Sequence, residues 1–200
     1  MLSEQVSAVR EDDGYIKGIL YENESLSGED ISDIEFSSIT FNDCTFSGCS
    51  FAKSSFTSCR FVGCDLSNSN FTDSYWKQSV FERCKGSGII FTKSCFKVSS
   101  ISNCTFVYSN FSQSRWEDCT IKDSSLKGMR LSESVLKKLT LLRNDLSDVD
   151  FFKTPLRNID LSDCIMNGFS ISDTLYELKG AKISAEQAII LASMLGVKIV

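Results

Sequence analysis

The chain of 200 residues contains no histidine and only one proline, Pro155. Without histidine it lacks the side chain that most often serves as a general base near neutral pH and most often ligates metals. No CxxC pair is present to complete a familiar zinc or redox centre. No glycine-rich loop has phosphate-binding spacing. The Asp residues stand singly on polar stretches, where water is expected to solvate them and leave them without the tuning that catalysis needs. These absences argue against an enzyme and against a bound metal or cofactor. No stretch approaches the length of a membrane span. Met1-Leu2-Ser3-Glu4-Gln5 carries neither a basic patch nor an apolar run, so no signal peptide is read and a cytoplasmic location is expected.

What the chain does have is an apolar residue at every fifth position. The series starts at Tyr21, Leu26, Ile31, Phe36 and Phe41, continues to Tyr176, and is interrupted only at Gly86. A period of five suits neither the 3.6-residue helix nor the two-residue strand, so a repeat architecture is required. Two residues before most centres sits a small side chain, as at Cys44, Cys49, Ser54, Cys59, Cys64 and Ser69. Large and small residues at fixed offsets imply one wide and one narrow interior slot per repeat. The other positions are mostly Ser, Asn, Asp, Lys, Thr and Gly, as solvent-facing positions should be.

Runs such as Cys44-Thr45-Phe46-Ser47-Gly48 and Cys49-Ser50-Phe51-Ala52-Lys53 resemble the pentapeptide repeat family, and the resemblance covers residues 21 to about 178. It implies an all-β, right-handed quadrilateral β-helix, with one pentapeptide per side and twenty residues per coil. The centres from Tyr21 to Tyr176 then make about eight coils, in a rod roughly 35–40 Å long. The organisation expected is an N-terminal cap over residues 1–20, a β-helix over 21–178, and a helix with an apolar tail over 179–200. Ser184 and Gln187 are spaced as a capping box, predicting a short helix at about 185–195 with Gly196 as its stop. Its face of Gln187, Ile190, Leu191, Met194 and Leu195 is expected to plug the last coil.

Eight of the nine cysteines fall in the small inward slot, and Cys44, Cys64, Cys84 and Cys104 stack at twenty-residue spacing. They are read as small core fillers. Cys95 alone precedes a centre by one residue, points outward, and should be the most reactive thiol. Gly86 leaves a gap unless Ile89 or a neighbour fills it, and a local bulge at Gly86 and Gly88 is expected. Two outer columns, Lys53-Asp73-Lys93-Gln113-Glu133-Lys153-Asp173 and Asp43-Gly63-Arg83-Asn103-Asp123-Arg143-Asp163, are expected to form salt-bridge ladders.

The chain also resembles the quinolone-resistance branch of that family, the Qnr and MfpA type, through its Cys- and Phe-rich repeats and the ending Ser184-Ala185-Glu186-Gln187-Ala188 through Leu195-Gly196-Val197. The resemblance implies a dimer that imitates duplex DNA and engages a type II topoisomerase, DNA gyrase or topoisomerase IV. Direct binding of nucleic acid is not expected, because no aromatic stacking platform or groove-entering helix is evident. Such mimicry needs dense negative charge. Residues 1–35 hold ten acids and two bases, and residues 141–200 hold eight acids and six bases. Residues 36–140, however, hold eight acids and thirteen bases. The partner-binding candidates are therefore Asp145, Asp148, Asp150, Asp160 and Asp163. The dimer-interface candidates are Ile190, Leu191, Met194, Leu195, Val197 and Ile199. A column of Lys77, Lys97, Lys137 and Arg157 beside Trp76, Trp116 and Tyr75 leaves open a scaffold that meets some other, acidic protein.

Overall fold

A side chain that returns every fifth residue can face one interior only if the chain turns a corner after each repeat. The backbone does so at the second residue past each centre from Ile16 to Leu156, which takes positive φ, as at Asn23 (56°), Asp43 (50°) and Asn68 (58°). Asn, Asp and Gly tolerate this left-handed conformation, whereas β-branched Val98, at 49°, is strained in it. Four corners close a coil of twenty residues, so that Phe36 pairs with Phe56 and Phe41 with Phe61.

The computed structural model describes residues 1–12 and 15–198. In order it contains α1 (Leu2–Asp12), β1 (Ile16–Lys17), β2 (Leu20–Glu22), β3 (Glu35–Ser37), β4 (Thr40–Asn42), β5 (Ser55–Thr57) and β6 (Arg60–Val62). There follow β7 (Tyr75–Lys77), β8 (Val80–Glu82), β9 (Cys95–Lys97), β10 (Ser100–Ser102), β11 (Arg115–Lys122), β12 (Val135–Leu142) and α2 (Ala185–Met194). All strand pairing is parallel. One side of the solenoid, face A, runs β1-β3-β5-β7-β9-β11-β12, and face B runs β2-β4-β6-β8-β10-β11-β12. Isolated bridges join the other two sides: face C from Ser25↔Thr45 to Asp145↔Ile165, and face D from Asp30↔Ser50 to Asp150↔Ser170. The chain is thus a parallel β-solenoid with a short C-terminal helix. Its strand ladders span about six turns rather than the eight coils counted from the centres, because no strand follows β12 on faces A and B.

The centres stack as columns of rings. On face A the centroid separations are 4.9 Å for Phe36–Phe56, 4.0 Å for Phe56–Trp76, 6.0 Å for Trp76–Phe96 and 4.2 Å for Phe96–Trp116. Each such pair adds about 0.5–1.5 kcal/mol beyond the area it buries. The narrow slot holds hydroxyls that serve the backbone. Ser54 Oγ accepts from Ile34 N and donates to Ile31 O, each at 3.1 Å, and Ser74 Oγ accepts the Trp76 indole N–H at 2.7 Å. The slot also takes Ile34, Ile39, Ile89, Met129 and Leu139, all buried.

Ile89 explains Gly86. A Cβ at Gly86 would meet the Phe106 ring at 2.7 Å and Ile89 at 3.3 Å, so these two side chains already fill the missing centre. The expected bulge does not form. Lys85 bridges both Asp65 and Thr105, and Gly86 N donates to Thr105 O at 2.9 Å, keeping register. Gly88 has positive φ only as any corner does.

Both ends depart from the regular pattern. At the N-terminus the expected cap is α1, whose Leu2 and Val6 are buried against the first coil. Gln5 is hydrogen-bonded by the Tyr21 hydroxyl, and Arg10 donates to the carbonyls of Asp30 at 3.0 Å and Ser32 at 3.2 Å, covering an open strand edge. The first centre is Ile16, paired with Phe36, five residues before the expected start. At the other end Tyr176 is exposed rather than inward, because Tyr176–Leu178 forms a 3-10 turn that buries Glu177 instead.

Candidate interaction surfaces

The helix α2 begins with the expected capping box: Gln187 N donates to Ser184 Oγ at 3.2 Å, and Ser184 N to Gln187 Oε1 at 2.8 Å. Gln187 Nε2 then donates to the carbonyls of Leu161 and Cys164, both at 2.7 Å, tying the helix to the last coil. Of the expected inward face, Gln187, Ile190 and Leu191 pack against the core. Met194 and Leu195 do not. They are exposed together with Ile189 and Val197, because the helix runs past the end of the coil. Among the dimer candidates, Ile190 and Leu191 are therefore partly spent within the chain, Met194, Leu195 and Val197 are free, and Ile199 lies outside the described residues.

The five aspartates do not form one patch. Asp160 lies on face B and Asp163 at its corner with face C; Asp145 lies on face C, Asp148 at its corner with face D, and Asp150 on face D. Asp163 joins Asp160 along one shallow groove and Asp145 along another. Asp148 pairs with Lys127 at 3.7 Å. Asp145, Asp150 and Asp160 accept the backbone N–H two residues on, at 3.0, 2.9 and 3.1 Å, so each also holds its own turn. The Ser162 hydroxyl and N–H hold the Asp160 carboxyl below the usual carboxylate range.

The expected ladders form only in part. Arg143 binds Asp123 through two bonds of 2.7 and 2.9 Å, and Glu133 accepts from Gln113 at 3.0 Å and Lys153 at 3.3 Å. Arg83 turns instead to its neighbour Glu82. On face A the register aligns Lys77, Lys97, Glu117 and Lys137 in one column, with Lys137 bound to Glu117 at 2.6 Å and Lys97 lying 5.9 Å from the Tyr75 ring. Among the described residues no group of three or more Cys, Asp or Glu is placed to hold a metal ion. Cys95 is half-buried and the other eight cysteines are buried. Burial pushes the Cys59 and Cys164 thiols up to about 11.

These features define a class: a parallel β-solenoid, helix-capped at each end, whose polar residues lie on long sides and shallow grooves. Residues 54–131 match the profile of a pentapeptide repeat region, and residues 34–73 that of pentapeptide repeats in eight copies. Residues 34–131 are thus a pentapeptide repeat region. Among solved structures it is similar to trypsin-treated QnrB1, described as a plasmid-mediated fluoroquinolone resistance protein, with a TM-score of 0.55 and 19% identity over 91% of this chain and 100% of that one. Full-length QnrB1 gives a TM-score of 0.53 and 18% identity over 90% and 100%. At that identity the likeness is one of fold. No curated protein matches the sequence.

No signal in the outer positions pointed to Glu177 or to the N-terminal helix. The apolar Leu2 and Val6, four apart, are the trace of α1 that helical periodicity could have found.

Proposed function

We propose that this chain is a non-enzymatic, cytoplasmic protein-binding rod that takes the place of duplex DNA on a type II topoisomerase and modulates quinolone sensitivity. The observation that carries the proposal is the end-to-end likeness to QnrB1, a fluoroquinolone resistance protein, over 91% of this chain. The exposed Met194, Leu195 and Val197 support it, since they offer a second copy an apolar contact at the C-terminal end. So do Asp145, Asp160 and Asp163, which place negative charge along two grooves near that end. The test is a gyrase supercoiling assay with and without a quinolone, titrated with the purified protein. Inhibition or protection at micromolar protein supports the reading; neither effect sinks it.

A second reading, a scaffold for a protein other than a topoisomerase, is favoured by one observation. The Lys77, Lys97 and Lys137 column on face A, extended in sequence by Arg157, is a poor imitation of a phosphate backbone. Under this reading the supercoiling assay shows nothing.

A further inference from the structure

The end of the ladders at β12 leaves a free strand edge within the rod. In the preceding coils the bonds are intact: Val98 N donates to Glu117 O at 2.9 Å, Asp123 N to Leu142 O at 3.0 Å, and Val135 N to Ser114 O at 2.9 Å. In the next coil Pro155 occupies the position equivalent to Val135 and has no N–H to offer Ser134 O. The segment that follows bonds away from β12. Leu156 N donates to Glu177 O at 2.8 Å, Asn158 N to Gly180 O at 2.9 Å, and Leu161 N to Lys182 O at 2.9 Å. Ser162 N turns to the Asp160 carboxylate.

Among the described residues β12 therefore pairs with β11 alone, and no backbone hydrogen bond crosses from it to residues 155–163. The N–H groups of Leu136, Lys138 and Leu141, which by register donate toward the following coil, have no partner there. Faces C and D remain joined at the same level, with Leu146 N to Ile165 O and Phe151 N to Ser170 O both at 2.8 Å. The rod opens on two sides only. Between Leu139–Leu142 and residues 158–163 this leaves a cleft of about 240 Å³.

We infer that the free edge of β12 takes up an extended, basic polypeptide segment of a partner protein. A strand edge with unused donors and acceptors is a template for an added strand, whose main chain supplies affinity and whose alternate side chains supply specificity. The charge of the cleft selects the segment. Asp160 and Asp163 line its lower lip. Of the nearby cations, Arg143 is engaged by Asp123 and Lys138 by Asp118 at 3.1 Å, while Lys182, paired in register with Asp160, offsets part of that carboxylate's charge and leaves Asp163 the stronger attractor. The same carboxylates repel nucleic acid phosphates, which excludes a duplex from this cleft. The inference goes beyond the topoisomerase reading and does not rest on it.

The probe is a fluorescent peptide of alternating Val and Lys, followed by anisotropy with the full chain and by amide hydrogen exchange. Saturable binding is expected, with slowed exchange at Leu136, Lys138 and Leu141. Methylating alternate peptide nitrogens, or introducing Asp160→Lys with Asp163→Lys, should weaken binding at least about tenfold. Equal binding of the methylated peptide, unchanged exchange at those amides, or no binding would each overturn the inference. The exchange readout uses the unaltered chain, so a variant that fails to fold does not decide the matter.

Discussion

Glu177 sits where the repeat would place an outward side chain, yet it is fully buried beneath the last coil. Its carboxylate accepts Lys153 N at 2.9 Å, Ser172 N at 3.2 Å and Ser172 Oγ at 2.8 Å. Glu177→Ala removes the acceptor and strands two backbone donors, each costing about 1–3 kcal/mol when buried unpaired. Release of the carboxylate from its own desolvation offsets part of this, leaving a net loss of about 2–4 kcal/mol. The loss should depend on pH. Burial works to raise the carboxyl's pKa, but hydrogen bonds from its own backbone, from Ser172 and from Lys153 outweigh it and hold the group below the usual range. A depressed folded value means that the stabilisation is complete above the unfolded value of about 4.3 and disappears as pH falls through the folded value. Urea unfolding of both proteins followed by circular dichroism should show the full gap near pH 7 and a smaller one near pH 3. A variant within about 0.5 kcal/mol of the parent at pH 7, or a gap that ignores pH, would refute the reasoning.

Three further outcomes follow from the interior and the C-terminal end. Ser109 Oγ is buried without a hydrogen-bond partner. Ser134 Oγ, by contrast, accepts from Ser114 N at 3.2 Å and donates to Phe111 O at 3.0 Å. In thermal melts Ser109→Ala should be neutral or stabilising while Ser134→Ala costs about 1–2 kcal/mol, and the reverse order would contradict the account of the narrow slot. A thiol reagent should label Cys95 alone in the folded protein and all nine cysteines after denaturation; rapid labelling of several would mean that the cysteine columns open. Met194→Asp with Leu195→Asp should turn a dimer into a monomer on sizing, since both side chains are exposed in the single chain. A parent that already runs as a monomer removes the geometric basis for two-fold mimicry.

The interior was legible because one residue in five does a single job. Phe36, Phe56 and Phe96 are buried where the period places them, and eight of the nine cysteines fill the narrow slot as their offset predicts. What escaped were departures that depend on contacts between coils. At Gly86 the filler Ile89 was foreseen but the expected bulge was not needed, because the Phe106 ring a coil away takes up the rest of the space. The free edge of β12 hangs on Pro155, whose missing N–H matters only once Ser134 is known to lie above it. Tyr176 kept the period but lost the interior, since the 3-10 turn rotates Glu177 into its place. The recognition surface was least legible. Outward positions are constrained by the partner rather than by the fold, and the five aspartates chosen by proximity in sequence prove to be divided among three faces.

The central claim is that the rod occupies a DNA site on a topoisomerase. The direct measurement is displacement of a labelled duplex from purified gyrase by increasing amounts of this protein. The account predicts competitive release whose midpoint moves to higher protein concentration as the concentration of labelled duplex is raised. A duplex that stays bound at saturating protein, or is released without competition, would contradict it.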